Sequence, residues 1–116
     1  MSSLRGKRVV ISGASSGIGL AAARALASGG AEVCLVARRA EPLAVLAADL
    51  GGRAWAQTCD VADPAAVKAL GSAVQTRWGA LDGLVNNAGV AVMASLADTS
   101  DAAWEETFAV NVRGPF

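Results

Sequence analysis

The chain has 116 residues, 53% of them apolar and 17% charged, with ten Lys plus Arg balancing ten Asp plus Glu. With no His and only two Cys, histidine acid–base chemistry is excluded, a zinc site is not expected, and zero net charge offers no basic stripe for nucleic acid. The mean hydropathy of +0.43 is high for a short domain, yet no apolar run reaches the roughly 18 to 20 residues of a membrane-spanning helix.

A parallel sheet buried on both faces accounts for that hydropathy. Met1 to Lys7 is short and polar, which argues against a secretory signal, and a cytoplasmic location is expected. Strands are expected near 7–12, 31–37, 53–59 and 81–86, and helices near 17–28, 40–50, 64–78 and 101–113. The first strand, Arg8-Val9-Val10-Ile11, leads into Ser12-Gly13-Ala14-Ser15-Ser16-Gly17-Ile18-Gly19 and an alanine-rich helix. A helix that starts in such a loop aims free backbone N–H groups and its positive dipole end at one point, where a phosphate fits. Gly13 permits the tight turn, Gly17 lets backbone approach a pyrophosphate, and Gly19 lets the helix pack closely on the sheet. The loop lacks the Gly-Lys-Ser/Thr ending of nucleotide triphosphatases. Taken alone, it also suits an ordinary turn.

The second helix repeats Leu43, Leu46 and Leu50 on one face. The third starts at Asp63-Pro64, with Asp as N-cap and Pro at the first helical position. Its stripe of Val67, Leu70, Val74 and Trp78 reads as core. Cys34 and Cys59 fall inside expected strands and read as small buried hydrophobes. Alternating strands and helices imply an α/β, doubly wound parallel sheet with right-handed crossovers. A ligand then belongs at the carboxyl ends of the strands, at the topological switch point.

Several polar groups fall at those ends. The second strand finishes at Ala37, followed by Arg38 and Arg39. An acid at this place would accept from a ribose 2′-hydroxyl, whereas a guanidinium fork suits a 2′-phosphate. The expectation is NADP(H) over NAD(H), with Ser15 also in reach of the 2′-phosphate; the plainer reading makes both arginines solvated loop charges. Asp60 either accepts from an adenine amino group or begins a turn. Asn86 and Asn87 either bind neighbouring loop backbone and leave a platform for a ribose, or mark a turn.

Together these residues closely resemble the short-chain dehydrogenase/reductase family. The motifs are Ser12 to Gly19, Asp60-Val61, Asn86-Asn87-Ala88-Gly89 and Asn111-Val112-Arg113-Gly114, in the family's order and across essentially the whole chain. One departure is Ser12 where the family usually has Thr, and it keeps the hydroxyl. The resemblance implies a Rossmann-like fold, here its first four strands, NAD(P)(H) binding over residues 1–116, and carbonyl–alcohol interconversion on a small-molecule substrate. It implies cofactor contacts from Gly13, Ser15, Ser16, Gly17, Ile18 and Gly19 in the loop. Asp60 and Val61 would hold the adenine, and Asn86, Asn87, Ala88 and Gly89 would lie along the cofactor. Members with Arg in the place of Arg38 generally prefer NADP(H). The family is often oligomeric, and the stripe Trp104, Phe108, Val112 then faces either a second subunit or the protein's own core.

The family's Tyr-x-x-x-Lys segment and upstream Ser are missing. The chain has no Tyr, and its only lysines are Lys7 and Lys68. The reading is an amino-terminal fragment of a longer enzyme, inactive alone. The alternatives are a non-catalytic nucleotide-binding module and an inactive truncated product. One catalytic element survives by resemblance: the family's Asn that matches Asn111 offers its backbone carbonyl to a water in the proton relay. A local reason supports this, because the N–H four residues on would come from Pro115, which has none. The expectation is a free Asn111 carbonyl and a helix bent there; the competing reading has Gly114-Pro115 simply end the helix.

Overall fold

The structure is a computed structural model that describes residues 4–116. Strands β1 (Arg8–Ser12), β2 (Glu32–Ala37), β3 (Ala54–Thr58) and β4 (Gly83–Val85) alternate with helices α1 (Gly17–Ser28), α2 (Ala40–Leu50), α3 (Pro64–Arg77) and α4 (Asp101–Phe108). All pairings are parallel, in the order β3-β2-β1-β4. After β3 the chain crosses back past β1, so the order reverses between β1 and β4. The doubly wound reading holds, and the expected elements agree to within a residue or two, apart from the last helix.

Strand alternation divides the core. Val9, Ile11, Val33 and Leu35 point to one face and pack with Ala23 of α1 and Leu43 and Leu46 of α2. Val10, Cys34 and Val36 point to the other and pack with Val74 and Trp78, at and just beyond the end of α3. Leu50, Val67 and Leu70 pack at the margins, as their spacing predicted. The indole N–H of Trp55 is buried without a partner among the described residues. Its ring lies edge-to-face with Trp78, centroids 5.5 Å apart, and under the Arg77 guanidinium at 4.8 Å, contacts that offset part of the cost.

At the foot of the sheet Arg8 ties three elements. Its guanidinium donates to the Trp78 carbonyl at 2.9 Å and to Glu32 at 3.3 Å, while its backbone N–H donates to Asp82 at 2.9 Å. These bonds leave the opposite, carboxyl end of the strands for a ligand. Among the described residues no helix is long and apolar enough to cross a membrane.

Both cysteines are buried, as expected. Burial pushes the Cys34 thiol up to about 12, against a smaller opposing pull from Arg77. The folded chain therefore keeps a proton that the unfolded chain loses above the ordinary value of 9.0. Stability is expected to fall as pH rises from there towards about 12. Denaturant unfolding across that range should show a shallower fall for Cys34→Ala; an equal slope contradicts the assignment.

The last helix departs from expectation. The α-helical pattern stops at Phe108, and Ala109–Arg113 form a π-helical turn. The Gly114 N–H reaches back five residues to the Ala109 carbonyl at 2.9 Å, and the Phe116 N–H goes to Val112 at 3.3 Å. Pro115 has no N–H, so none of these three residues donates to the Asn111 carbonyl. The widened turn therefore ends just before the proline. Trp104 and Phe108 stack with centroids 4.4 Å apart, and with Val112 they stand about half exposed.

Candidate functional site

The ends of β1 and β4 are laced together by one hydroxyl and one amide, and backbone bonds add the ends of β2 and β3. Ser12 is buried, and its Oγ accepts the N–H groups of Asn87 and Ala88, both at 3.1 Å, while donating to the Val85 carbonyl at 3.4 Å. Asn87 Nδ2 donates to the Gly13 carbonyl at 3.1 Å. The Ala14 N–H donates to Val36 at 3.1 Å, and the Cys59 N–H to Ala37 at 2.9 Å. The glycine loop therefore rests on the ends of β2 and β4 as well as continuing β1. The reading of Asn87 as a clasp on loop backbone is met; Asn86 is exposed.

Gly13 has φ +66°, and a Cβ there would lie 2.9 Å from Asn87 Nδ2 and 3.0 Å from the Ala88 backbone. Glycine is needed for both conformation and space. Gly17 has φ +56° and opens onto free space. Gly19 is more specific than the sequence suggested. What it approaches is the Gly13 carbonyl and the Asn87 amide rather than the sheet face.

These contacts frame a cleft of about 280 Å³ across the carboxyl ends of the strands. Its walls bring together Gly13, Ser15 and Ser16 from the loop, Arg38 and Arg39 after β2, Asp60 and Val61 after β3, and Asn87, Ala88 and Gly89 after β4. Gly17, Ile18, Gly19, Asn86 and Asn111 lie outside this lining, and Ile18 stands exposed at the start of α1. Cys59 and Val110 line the cleft without having been singled out for it, and Val90 lines it too. Cys59 lies one residue past the end of β3, and burial with the Asp60 and Asp63 carboxylates raises its thiol above the ordinary value.

The electrostatics are directional. The helices opening on the cleft, α1 after Ser16 and α2 after Arg39, have no side-chain cap. The other two helices are capped: Asp63 of α3 accepts from the Ala65 N–H, and Ser100 of α4 from the Ala103 N–H. The N-cap residues of both helices, Ser16 and Arg39, line the cleft beside the exposed Arg38, and the first turn of α2 also carries Glu41. Arg38 and Arg39 make no ion pair among the described residues. Asp60 does begin a turn, with Oδ1 accepting from the Ala62 N–H at 3.0 Å. The Asn111 side chain grips Val90 twice: Oδ1 accepts its N–H at 2.9 Å and Nδ2 donates to its carbonyl at 2.7 Å.

Comparison with known proteins agrees with this arrangement. The family model for short chain dehydrogenase matches residues 7–116. D-threitol dehydrogenase of Mycolicibacterium smegmatis is 45% identical over 116 residues, covering 97% of this chain and 45% of that protein. The 3-ketoacyl-(acyl-carrier-protein) reductase of Brucella melitensis, solved with NADH, superposes with a TM-score of 0.93 at 35% identity, covering 97% of this chain and 47% of that one. L-sorbose reductase of Gluconobacter frateurii, solved with NADPH and L-sorbose, also gives 0.93, at 37% identity, covering 99% and 46%. The chain spans a little under half the length of these relatives. With its sheet order, its glycine loop and the match running to its last residue, the chain belongs to the short-chain dehydrogenase family.

Proposed function

We propose that this chain is the cofactor-binding part of an NADP(H)-dependent oxidoreductase that interconverts a small-molecule carbonyl and alcohol. The observation that carries the NADP(H) preference is the end of β2. Ala37 brings no carboxylate, and Arg38 and Arg39 line the cleft beside the uncapped start of α2. A dianionic 2′-phosphate gains from all three, whereas a 2′-hydroxyl gains little.

The residues present fit a dinucleotide along the whole cleft. The open face of Gly17 and the free N–H groups of α1 suit a pyrophosphate. The unspent Asp60 oxygen and Val61 suit an adenine, with Asn87 to Gly89 along the cofactor beyond. Bound there, the cofactor supplies the hydride chemistry, and the chain supplies position and electrostatics. Asn111, through its carbonyl, holds a water of the proton relay. The Tyr and Lys of the family's acid–base step have no counterpart in these 116 residues, so the chain by itself is expected to bind NADPH and to turn over nothing.

Two assays on the purified chain test this. NADPH fluorescence should change saturably on titration, and NADPH should persist with a panel of aldehydes and ketones. Absence of binding defeats the cofactor reading; consumption above a heat-killed control defeats the inactivity.

A further inference from the structure

The last residue of the Asn111-Val112-Arg113-Gly114 motif carries an observation that the cofactor reading leaves unused. Gly114 closes the π-helical turn with φ −55°, a backbone that any residue adopts. Conformation therefore does not call for glycine, but space does. A Cβ at 114 would lie 2.8 Å from the Val110 carbonyl oxygen, 2.9 Å from Val61 Cγ2 and 3.0 Å from Val61 Cβ. Val61 and Val110 both line the cleft, as does Val90, which Asn111 grips from the same turn. The turn is seated at two points: on the loop after β3 through Gly114, and on the loop after β4 through Asn111.

We infer that Gly114 is a positioning residue, whose bare Cα seats the turn on Val61 and so sets both that wall of the cleft and the reach of Asn111 to Val90. The neighbours yield poorly. Val110 presents backbone, and Val61 is β-branched and stiff about χ1. One added methyl must lift the turn from Val61. The consequence for binding rests on the nucleotide reading above; the seat itself does not.

The test follows the Asn111 side-chain amide and Val90 backbone amide by ¹H–¹⁵N NMR, together with NADP⁺ titration of the 116-residue chain. Gly114→Ala should shift both resonances and weaken NADP⁺ binding by about tenfold. Adding Val61→Ala removes the Cγ2 contact and leaves the Cβ of Val61 and the Val110 carbonyl close, so the double variant should bring both resonances part of the way back. Because Val61 itself lines the cleft, the double variant's NADP⁺ affinity is compared with that of Val61→Ala alone, from which it should differ by less than the roughly tenfold seen in Val61's presence. General loss of stability would not be rescued by a second truncation in a neighbouring wall. Unmoved resonances in Gly114→Ala, or a double variant that moves neither of them back, overturn the inference. A wild-type chain that binds no NADP⁺ while the resonances shift and recover defeats the nucleotide reading and leaves the seat standing.

Discussion

Replacing Arg38 with Ala is expected to cost about 100-fold in NADPH affinity and to leave NADH affinity within about threefold of its starting value. The argument is one of differential contact. A guanidinium makes charge-assisted, forked hydrogen bonds to a phosphate and nothing comparable to a ribose hydroxyl. Arg38 is exposed at the mouth of the cleft and has no carboxylate partner among the described residues. Its removal therefore subtracts a ligand contact without breaking an internal ion pair. Arg39 lines the same cleft and retains part of the attraction, so the Arg38→Ala/Arg39→Ala double variant should abolish the preference. Calorimetric titration with each nucleotide measures it. Equal losses for NADPH and NADH would show that the arginines do not read the 2′ position.

Gly19→Ala is expected to be as damaging by a different route. The added Cβ runs into the Gly13 carbonyl, which also accepts the Asn87 amide. The Gly13 carbonyl is backbone, and the Asn87 amide, though the end of a side chain, is bonded to it, so the loop itself has to move. Strain of this kind costs about 1–3 kcal/mol. At its upper end that is roughly a 100-fold loss of nucleotide affinity if the strain is relieved by opening the loop. The melting temperature should drop as well. Gly71→Ala is the matched control: it lies in α3, with nothing within 4 Å of its added Cβ, and should stabilise the chain by up to about 1 kcal/mol. Binding and thermal unfolding of both variants check the pair. A Gly19→Ala chain that binds NADPH as wild type would show that the loop geometry does not govern the site.

Much of this architecture was legible because the two central strands, β1 and β2, bury both faces, whereas β3 and β4 stay partly exposed. Val9 to Ile11 and Val33 to Val36 are unbroken apolar runs, and the Asp63-Pro64 start of α3 carries its own cap. The glycine loop was legible for a similar reason, since Gly13 and Gly17 occupy positions with positive φ. The π-helical turn was not. Trp104, Phe108 and Val112 recur every four residues, which an α-helix satisfies equally well; Gly114-Pro115 was the only local sign of disturbance. The clasps formed by Ser12, Asn87 and Asn111 join residues 74–76 and 21 apart in sequence. No local pattern encodes such pairings. Cys59 was placed inside a strand that stops one residue earlier, which hid its position in the cleft wall.

The account rests on a 2′-phosphorylated dinucleotide occupying the cleft at the strand ends. The most direct measurement is a ¹H–¹⁵N chemical-shift map of the labelled chain titrated with 2′,5′-ADP and, separately, with 5′-ADP. The account predicts that both ligands perturb Gly13, Ser15, Asp60 and Val61. Only the 2′-phosphorylated ligand should perturb Arg38 and Arg39, with Arg8 and Asp82 at the foot of the sheet unmoved. Perturbations confined to α4, or identical responses of Arg38 to the two ligands, would contradict it.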